Sequence, residues 1–308
     1  MSRSRDRPAL AAARDRTLRL LFRLGWRTAH RIPRPLVTGT IAGLARLAVR
    51  FPGQHVHTLR HNLAVTTGQP VDDNLARAAV RSHLRNVYEM LALPGWSPAE
   101  VLARIETVNE AQMRAAYAST GAVIALPHSG NWDLAGAYAE LTGMPVTTVA
   151  EQLPGPEFAA FVAFRERLGM RVLSHRDPDV VGKLIAAVRA GRLVCLLGDR
   201  DLAGRGVPVQ WAGQPVTMPP GPALVARRTG AALIPIVCQF TRRGMRIVFG
   251  DPVAHRQGRD GLVAMVQDVA DFFARTIATQ PEDWHMMQPF FRGADPTAST
   301  PEPNAVRA

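Results

Sequence analysis

The stretch HSGNWDLAG, residues 128–136, brings together residue types that can perform acid–base chemistry. His128 can take up a proton near neutral pH, and a carboxylate that folds back onto the imidazole, such as Asp133, would fix its tautomer. The other ring nitrogen would then accept a proton from a bound hydroxyl. We therefore take His128 as a candidate general base and Asp133 as its orienting partner.

The same stretch also suits a connecting turn that does no chemistry. Gly130 lets the chain bend sharply, and Asn131 or Asp133 can cap the helix that follows. In such a turn the histidine would be incidental. The pair of His128 and Asp133 alone leaves both interpretations open.

Short apolar runs alternate with segments of helical periodicity from residue 105 onward. This alternation is typical of an α/β fold with a central, largely parallel sheet flanked by helices. The predicted strands are AVIALP, PVTTVA, RVLS, RLVCLLGD, ALIPIV and MRIVFG, and the predicted helices cover 133–142, 156–169, 178–190, 220–229 and 258–279.

A helical lead-in precedes the predicted sheet, with helices expected over 36–50, 72–93 and 98–117. In a parallel sheet, ligands bind beyond the carboxyl ends of the strands, and His128 follows the strand AVIALP directly. We expect a basic N-terminal segment at 1–34, a single domain at 35–292 and a disordered tail at 293–308.

Arginines recur every three or four residues near the N-terminus, which predicts a basic amphipathic helix that ends by Pro33. Such a helix either packs its apolar side on the domain or lies on anionic lipid headgroups. The arginines are Arg16, Arg19, Arg23, Arg27, Arg31 and Arg34.

The composition favours an anionic partner. The formal net charge is +12, and Lys183 is the only lysine among 37 basic residues. Guanidinium groups bind phosphate through paired hydrogen bonds.

Cys195 and Cys238 lie in apolar runs and are expected to be core thiols. No apolar run is long enough to span a membrane, and no signal peptide is evident, so a cytosolic or membrane-surface location is expected.

HSGNWDLAG resembles the His-x4-Asp block of the glycerolipid and lysophospholipid acyltransferase superfamily, in the form found in its lipid A lauroyl acyltransferase branch. FRERLGM, LLGDRDLAGRGVPVQWAGQPV and TGAALIPIV follow in the order of the second, third and fourth blocks. PEDWHMMQPFF is similar to the phosphatidylinositol mannoside acyltransferases of actinobacteria. The resemblance covers roughly residues 20–290.

The resemblance implies transfer of a fatty acyl group from acyl-coenzyme A to a mannose hydroxyl of a phosphatidylinositol mannoside. His128 would be the general base, oriented by Asp133. The chain has no Gly-x-Ser-x-Gly elbow, so direct transfer without a covalent acyl-enzyme is expected. No metal is implied. A lipid A type or other glycerolipid acyltransferase is the alternative.

Two further polar residues resemble family positions at the cleft. Glu151 follows the strand PVTTVA, although a carboxylate there could simply open a helix. Arg165 matches the arginine of the second block, with Arg167 the alternative if the register shifts. Either arginine would bind the acceptor's anionic headgroup or the phosphates of coenzyme A, unless it only lies on a solvated helix face.

The third and last blocks supply three more candidates. Arg200 could stabilise the oxyanion that forms on the thioester carbonyl, or it could pair with Asp199 or Asp201. Asp201 resembles the acidic position of the third block. His285 could join the polar network around the site.

The resemblance implies acyl-coenzyme A as a co-substrate, with no permanently bound cofactor, and an anionic glycolipid as the acceptor. The protein is then expected at the inner leaflet, on the cytoplasmic face of the cell membrane, as a peripheral protein. A basic nucleic-acid-binding protein is the different-class alternative. It is disfavoured because aromatic residues make up only 6% of the chain and no recognition motif is present.

Overall fold

The computed structural model describes residues 25–26, 28–151, 156–201 and 204–291. The strands in these parts of the chain are β1 (Ile105–Val108), β2 (Ala122–Leu126), β3 (Val146–Ala150), β4 (Arg171–Ser174), β5 (Leu193–Leu197), β6 (Val207–Trp211), β7 (Gln214–Met218), β8 (Ala232–Phe240) and β9 (Met245–Phe249).

Helices surround these strands. They are α1 (Arg34–Arg50), α2 (Gln54–Thr67), α3 (Asp73–Ala92), α4 (Pro98–Leu102), α5 (Glu110–Thr120), α6 (Trp132–Leu141), α7 (Pro156–Arg167), α8 (Val180–Arg189), α9 (Gly221–Thr229) and α10 (Gly258–Thr279).

Seven strands form one sheet in the order β1-β9-β8-β2-β5-β3-β4. All neighbouring pairs are parallel except β8 and β9, which form an antiparallel hairpin. The expected α/β fold with a largely parallel sheet and a helical lead-in is therefore confirmed, and each of the six predicted strands is present.

The two faces of the sheet are both covered, as β2 shows. Val123 and Ala125 belong to the core shared with α8, α9 and α10, whereas Ile124 and Leu126 belong to the core shared with α6. Since both faces are buried, the strand reads as a continuous apolar run rather than an alternating one. The parallel order brings the carboxyl ends of β2, β5 and β3 to one edge.

Two parts of the lead-in differ from the sequence prediction. The expected helix at 98–117 is wrong, because the segment is divided into α4, edge strand β1 and α5. Arg104 O accepts a hydrogen bond from Met245 N, which draws the chain after α4 onto the sheet edge. Helix α2 was not expected, since its histidines and threonines weaken the apolar pattern.

The segment after α10 returns across the loop that follows β2. Gly130 N donates to Asp283 O at 3.0 Å, and His285 N donates to His128 O at 2.8 Å. Trp284 is fully buried and stacks on Trp211 of the β6–β7 hairpin, with 5.2 Å between ring centroids. The C-terminal segment therefore holds the His128 loop in place.

The described part of the N-terminal segment packs on the domain. Trp26 stacks on Phe164 at 6.1 Å, and a 3₁₀ turn at Ala29–Arg31 ends before Pro33. Arg34 already belongs to α1, so it does not share a helix with Arg31. The arginines Arg16, Arg19, Arg23 and Arg27 lie outside the described residues, as does the tail at 293–308.

Among the described residues, no helix has the length and apolar character needed to cross a membrane. The division of the chain into segment, domain and tail stays a prediction.

Candidate active site

The loop between β2 and α6 is built to present His128. Gly130 has φ +59°, and a Cβ atom there would lie 2.7 Å from Cys238 O, so only glycine fits this close approach. Asn131 caps α6 by accepting a hydrogen bond from Leu134 N at 3.0 Å. The capping role thus belongs to Asn131, and it frees Asp133 for another contact.

The imidazole of His128 contacts a carboxylate from the neighbouring strand. Asp199 follows β5, and its Oδ1 lies 2.7 Å from His128 Nδ1. Its Oδ2 accepts a hydrogen bond from His128 N at 2.9 Å. A carboxylate can only accept, so Nδ1 carries the hydrogen and Nε2 is left as the basic nitrogen.

Asp199 is completely buried, and its carboxylate accepts a third hydrogen bond. Trp284 Nε1 donates to Asp199 Oδ2 at 3.1 Å. Burial alone would raise the pKa of Asp199, but the adjacent His128 charge and the hydrogen bonds from His128 and Trp284 hold that pKa below its usual value. The carboxylate therefore stays ionised beside the imidazole.

Asp133 does not hold His128, and the expectation that it orients the imidazole is wrong. Its Oδ1 accepts a hydrogen bond from Arg165 Nε at 2.6 Å, and both side chains are buried. Arg165 also lies over the Phe161 ring, with its Cζ 4.3 Å from the centroid. As a buried, paired group, Arg165 is a poor choice for binding a large headgroup.

Glu151 and Arg200 come together where β3 and β5 end. Arg200 Nη1 lies 3.5 Å from Glu151 Oε2, and both side chains are partly exposed. Arg200 thus pairs with Glu151 rather than with Asp199 or Asp201. Asp201 instead accepts hydrogen bonds from Arg205 N and Gly206 N, which tightens its own loop.

His285 lies directly behind His128, in a buried polar cluster. Its Nε2 is 3.0 Å from Ser82 Oγ, which in turn donates to Asp283. Burial, followed by the charges of His83 and His128, lowers the pKa of His285 well below its usual value. Burial also raises the pKa of Asp283 to about 6, against opposing hydrogen bonds.

An apolar cavity of about 60 Å³ lies beside Trp132, between α6 and one face of the sheet. Its lining combines strand residues such as Ile124 and Cys195 with the flexible side chains of Met113, Met144 and Met170. Its polar lining includes the Asp133–Arg165 pair. Trp132 lies at the boundary, because it lines the cavity and contacts His128 edge to face at 5.4 Å.

The arrangement places the His128 imidazole near a small apolar cavity, with Trp132 in contact with both. In the parts of the chain that are described, no cluster of three or more His, Cys, Asp or Glu side chains could hold a metal ion. Asp199 and Trp284 were not recognised from the sequence as contacts of His128. The position of Asp199 after a strand was visible, but the strand order that brings β5 beside β2 was not.

Comparison with known proteins places the chain among acyltransferases. A family model described as bacterial lipid A biosynthesis acyltransferase matches residues 12–293. A phosphatidylinositol mannoside acyltransferase of Mycolicibacterium smegmatis is 39% identical over 279 residues, covering 87% of this chain and 89% of that protein. The Mycobacterium tuberculosis H37Rv protein of that name is 38% identical, covering 87% and 86%.

Replacing Asp199 by asparagine is expected to slow acyl transfer by about 10²–10⁴-fold, because the amide cannot stabilise the imidazolium that forms during proton transfer. Steady-state kinetics of the purified variant measure this loss, which we expect in kcat. Asp199→Glu should restore part of the rate, since it returns a carboxylate to the site.

Two controls accompany this variant. Asp177→Asn removes a carboxylate that pairs with Lys183 on the surface and should leave the rate unchanged. Asp133→Asn breaks the buried pair with Arg165 and should lower the free energy of unfolding by about 3 kcal/mol. A normal kcat in Asp199→Asn would contradict the assignment of Asp199 as the partner of His128.

Proposed function

The chain belongs to the bacterial lipid A biosynthesis acyltransferase family, and on this premise we propose that it transfers a fatty acyl group from acyl-coenzyme A to a mannose hydroxyl of a phosphatidylinositol mannoside. The observation that carries the chemical part is the contact of His128 Nδ1 with the buried Asp199 carboxylate, which leaves Nε2 as the base. The acceptor is proposed from the similarity to two mycobacterial enzymes of that name.

In the proposed reaction, His128 Nε2 takes the proton of the acceptor hydroxyl as its oxygen attacks the thioester carbonyl. The carbon–sulfur bond then breaks, and the coenzyme A sulfur leaves with the proton that His128 has held. Asp199 stabilises the transient imidazolium. The Glu151–Arg200 pair, at the same strand ends, is proposed to contact the acceptor.

The protonation state of the two cysteines fits direct acyl transfer without an acyl-enzyme. Burial raises the pKa of Cys195 and Cys238 to about 12, so neither cysteine supplies a thiolate near neutral pH. Ser129 is buried as well, and its Oγ donates to Cys238 O at 2.7 Å. These groups are poorly placed to carry an acyl intermediate, which favours transfer within a ternary complex.

We assign the acyl chain to the apolar cavity beside Trp132, whose volume of about 60 Å³ requires lining side chains to move as a fatty acyl chain enters. The cavity adjoins His128 through Trp132, and its walls are apolar side chains from β2, β5 and α6. Met113, Met144 and Met170 complete the lining, and methionine side chains adapt their shape at low cost. A thioester whose chain enters this cavity would place its carbonyl at the mouth, near the imidazole.

We place the enzyme on the cytoplasmic face of the membrane, held by α1 rather than only by the arginine stripe that precedes it. Large apolar side chains are exposed on α1 and at its two ends. Together they supply five of the nine most exposed large apolar side chains in the described residues: Ile32, Leu36, Leu44, Leu47 and Phe51. Arg46 and Arg50 lie among them, as in helices that rest on anionic lipid headgroups.

A lipid A type acceptor uses the same chemistry and remains the second candidate, since the family description names that pathway. The nucleic-acid alternative is motivated only by the net charge, whereas the family match favours an acyltransferase. Competition between a phosphatidylinositol mannoside, a lysophospholipid and a lipid A precursor for the same acyl donor distinguishes the acceptors.

The proposed function is tested by release of free coenzyme A from palmitoyl-coenzyme A in the presence of a mannosylated phosphatidylinositol. His128→Ala should abolish release because it removes the base, while circular dichroism and the unfolding transition stay normal. His57→Ala serves as the control, since His57 is an exposed histidine on α2. Near-normal turnover in His128→Ala would overturn the mechanism.

Filling the apolar cavity should change the preferred chain length. Ala139 lines the cavity, and Ala139→Leu should lower kcat/KM for palmitoyl-coenzyme A relative to decanoyl-coenzyme A by about tenfold, since overpacking opposes the longer chain by ~1–3 kcal/mol. Ala187→Leu, in the core on the other face, measures the effect of overpacking alone. An equal shift in both variants would contradict the assignment of the cavity.

The role of α1 is tested with Leu44→Gln/Leu47→Gln. This double variant should bind vesicles that contain anionic phospholipid about tenfold or more weakly than the wild type, because each half-exposed leucine contributes ~1 kcal/mol on entering the lipid. The matched control is Leu102→Gln/Leu141→Gln, which changes two leucines of similar exposure elsewhere. Equal binding by the two double variants would argue against α1 as the contact.

A further inference from the structure

A pocket of about 440 Å³ lies between the start of α1, the middle of α3 and the turn that joins β8 to β9. Its volume is in the range typical of small-molecule sites. Arginines dominate its charged lining: Arg34, Arg81, Arg85, Arg104, Arg242 and Arg243.

Two of these arginines hold the walls of the pocket together. Arg85 donates to Glu89 Oε1 at 2.7 Å and to the carbonyl oxygens of Thr241 and Gly244. Arg104 donates to Glu100 O and lies over the Trp96 ring, with its Cζ 4.1 Å from the centroid. Their guanidinium groups are fixed by the fold, so they shape the pocket.

The other four arginines have no carboxylate within ion-pair distance in the described structure, and they converge from three elements. Arg34 begins α1, Arg81 lies on α3, and Arg242 and Arg243 form the β8–β9 turn. Burial, followed by the charge of Arg34, lowers the pKa of Arg104, as expected where cations face each other. The pocket therefore has an excess of positive charge that an anion would relieve.

Four carboxylates also line the pocket; three of them have partners, and Glu282 is the fourth. Glu89 pairs with Arg85, and Glu100 accepts hydrogen bonds from Ser97 N and Oγ. Asp283 accepts from Ser82 Oγ and Phe240 N. Six arginines against four carboxylates leave the lining with excess positive charge, and guanidinium groups bind phosphate through paired hydrogen bonds.

The setting of the pocket indicates the kind of molecule that carries this phosphate. Ile32, Val37 and Ile41 form its wall on the side of α1, next to the exposed apolar residues of that helix. A phosphate bound there would lie beside a surface suited to acyl chains. This combination fits the phosphodiester of a phospholipid better than a free ion.

One layer of buried polar side chains separates the pocket from His128. Ser82 and Asp283 line the pocket, and Ser82 Oγ contacts His285, whose N–H donates to His128 O. We propose that this arginine pocket binds the phosphodiester of the phosphatidylinositol headgroup while the attached sugar reaches His128. The inference rests on the proposed function, and it replaces Arg165, which is buried and paired, as the site for the acceptor's negative charge.

The test measures equilibrium binding of dihexanoyl phosphatidylinositol by calorimetry, below its micelle concentration. The variant Arg242→Ala/Arg243→Ala should bind at least tenfold more weakly than the wild type. The control Arg189→Ala/Arg228→Ala removes two exposed arginines elsewhere and should bind normally. All four positions are exposed, so both variants are expected to fold. Equal binding by the two variants, or no binding by the wild type, would overturn the proposal.

Two further probes separate the sources of the phosphate. Dihexanoyl glycerol, which has the acyl chains without the phosphate, should not bind measurably, and inorganic phosphate should bind more weakly than the lipid. Inorganic phosphate that binds as tightly as the lipid would refute the headgroup assignment. These readouts need no acyl transfer, so they stand even if the proposed function fails.

Where transfer to a mannosylated phosphatidylinositol is observed, Arg242→Ala/Arg243→Ala should raise the acceptor's KM at least tenfold, with a smaller effect on kcat. An unchanged acceptor KM would contradict the pocket's role in acceptor binding.

Discussion

The candidate site depends on keeping one carboxylate ionised where water cannot reach it. Asp199 is fully buried, and an unpaired charge in such a position would be very costly. Three donors remove that cost: the imidazole Nδ1 and backbone N–H of His128, and the indole N–H of Trp284. The same contacts set the tautomer of His128. The same three hydrogen bonds therefore stabilise the site and prepare His128 for chemistry. They form only because the fold brings β2, β5 and the C-terminal segment together.

The sequence predicted the fold well where one pattern dominates. Short runs of β-branched and large apolar residues alternate with helical periods, so β2, β3, β4, β5, β8 and β9 were recognised, along with most of the helices. Edge strand β1 is short and mostly exposed, so it has no buried apolar run that would distinguish it from a helix, and the segment from 98 to 117 was predicted as one helix. The β6–β7 hairpin lies outside the main sheet and was likewise missed.

The site was predicted only in part, for a reason of topology. His128 lies at the end of its strand, as expected, and Asn131 caps the helix. The partner of His128 was misassigned because Asp133 is near in sequence, whereas Asp199 is near only in space. Strand order decides this contact, and a single sequence does not show that β5 lies beside β2. Trp284 illustrates the same limit, since it arrives from the far end of the chain.

The arginines show how environment separates side chains of one type into different roles. Arg165 is buried and neutralised by Asp133, so its charge organises the interior near the cavity. Arg85 and Arg104 donate hydrogen bonds to backbone carbonyl oxygens and lie over aromatic rings. These contacts connect α3, α4 and the β8–β9 turn, so the two arginines stiffen the walls of the pocket. Only the arginines that the fold leaves without carboxylates can contribute charge to binding an external anion. Those that converge on one pocket, beside the exposed apolar side chains of α1, are suited to a ligand that is both anionic and lipidic.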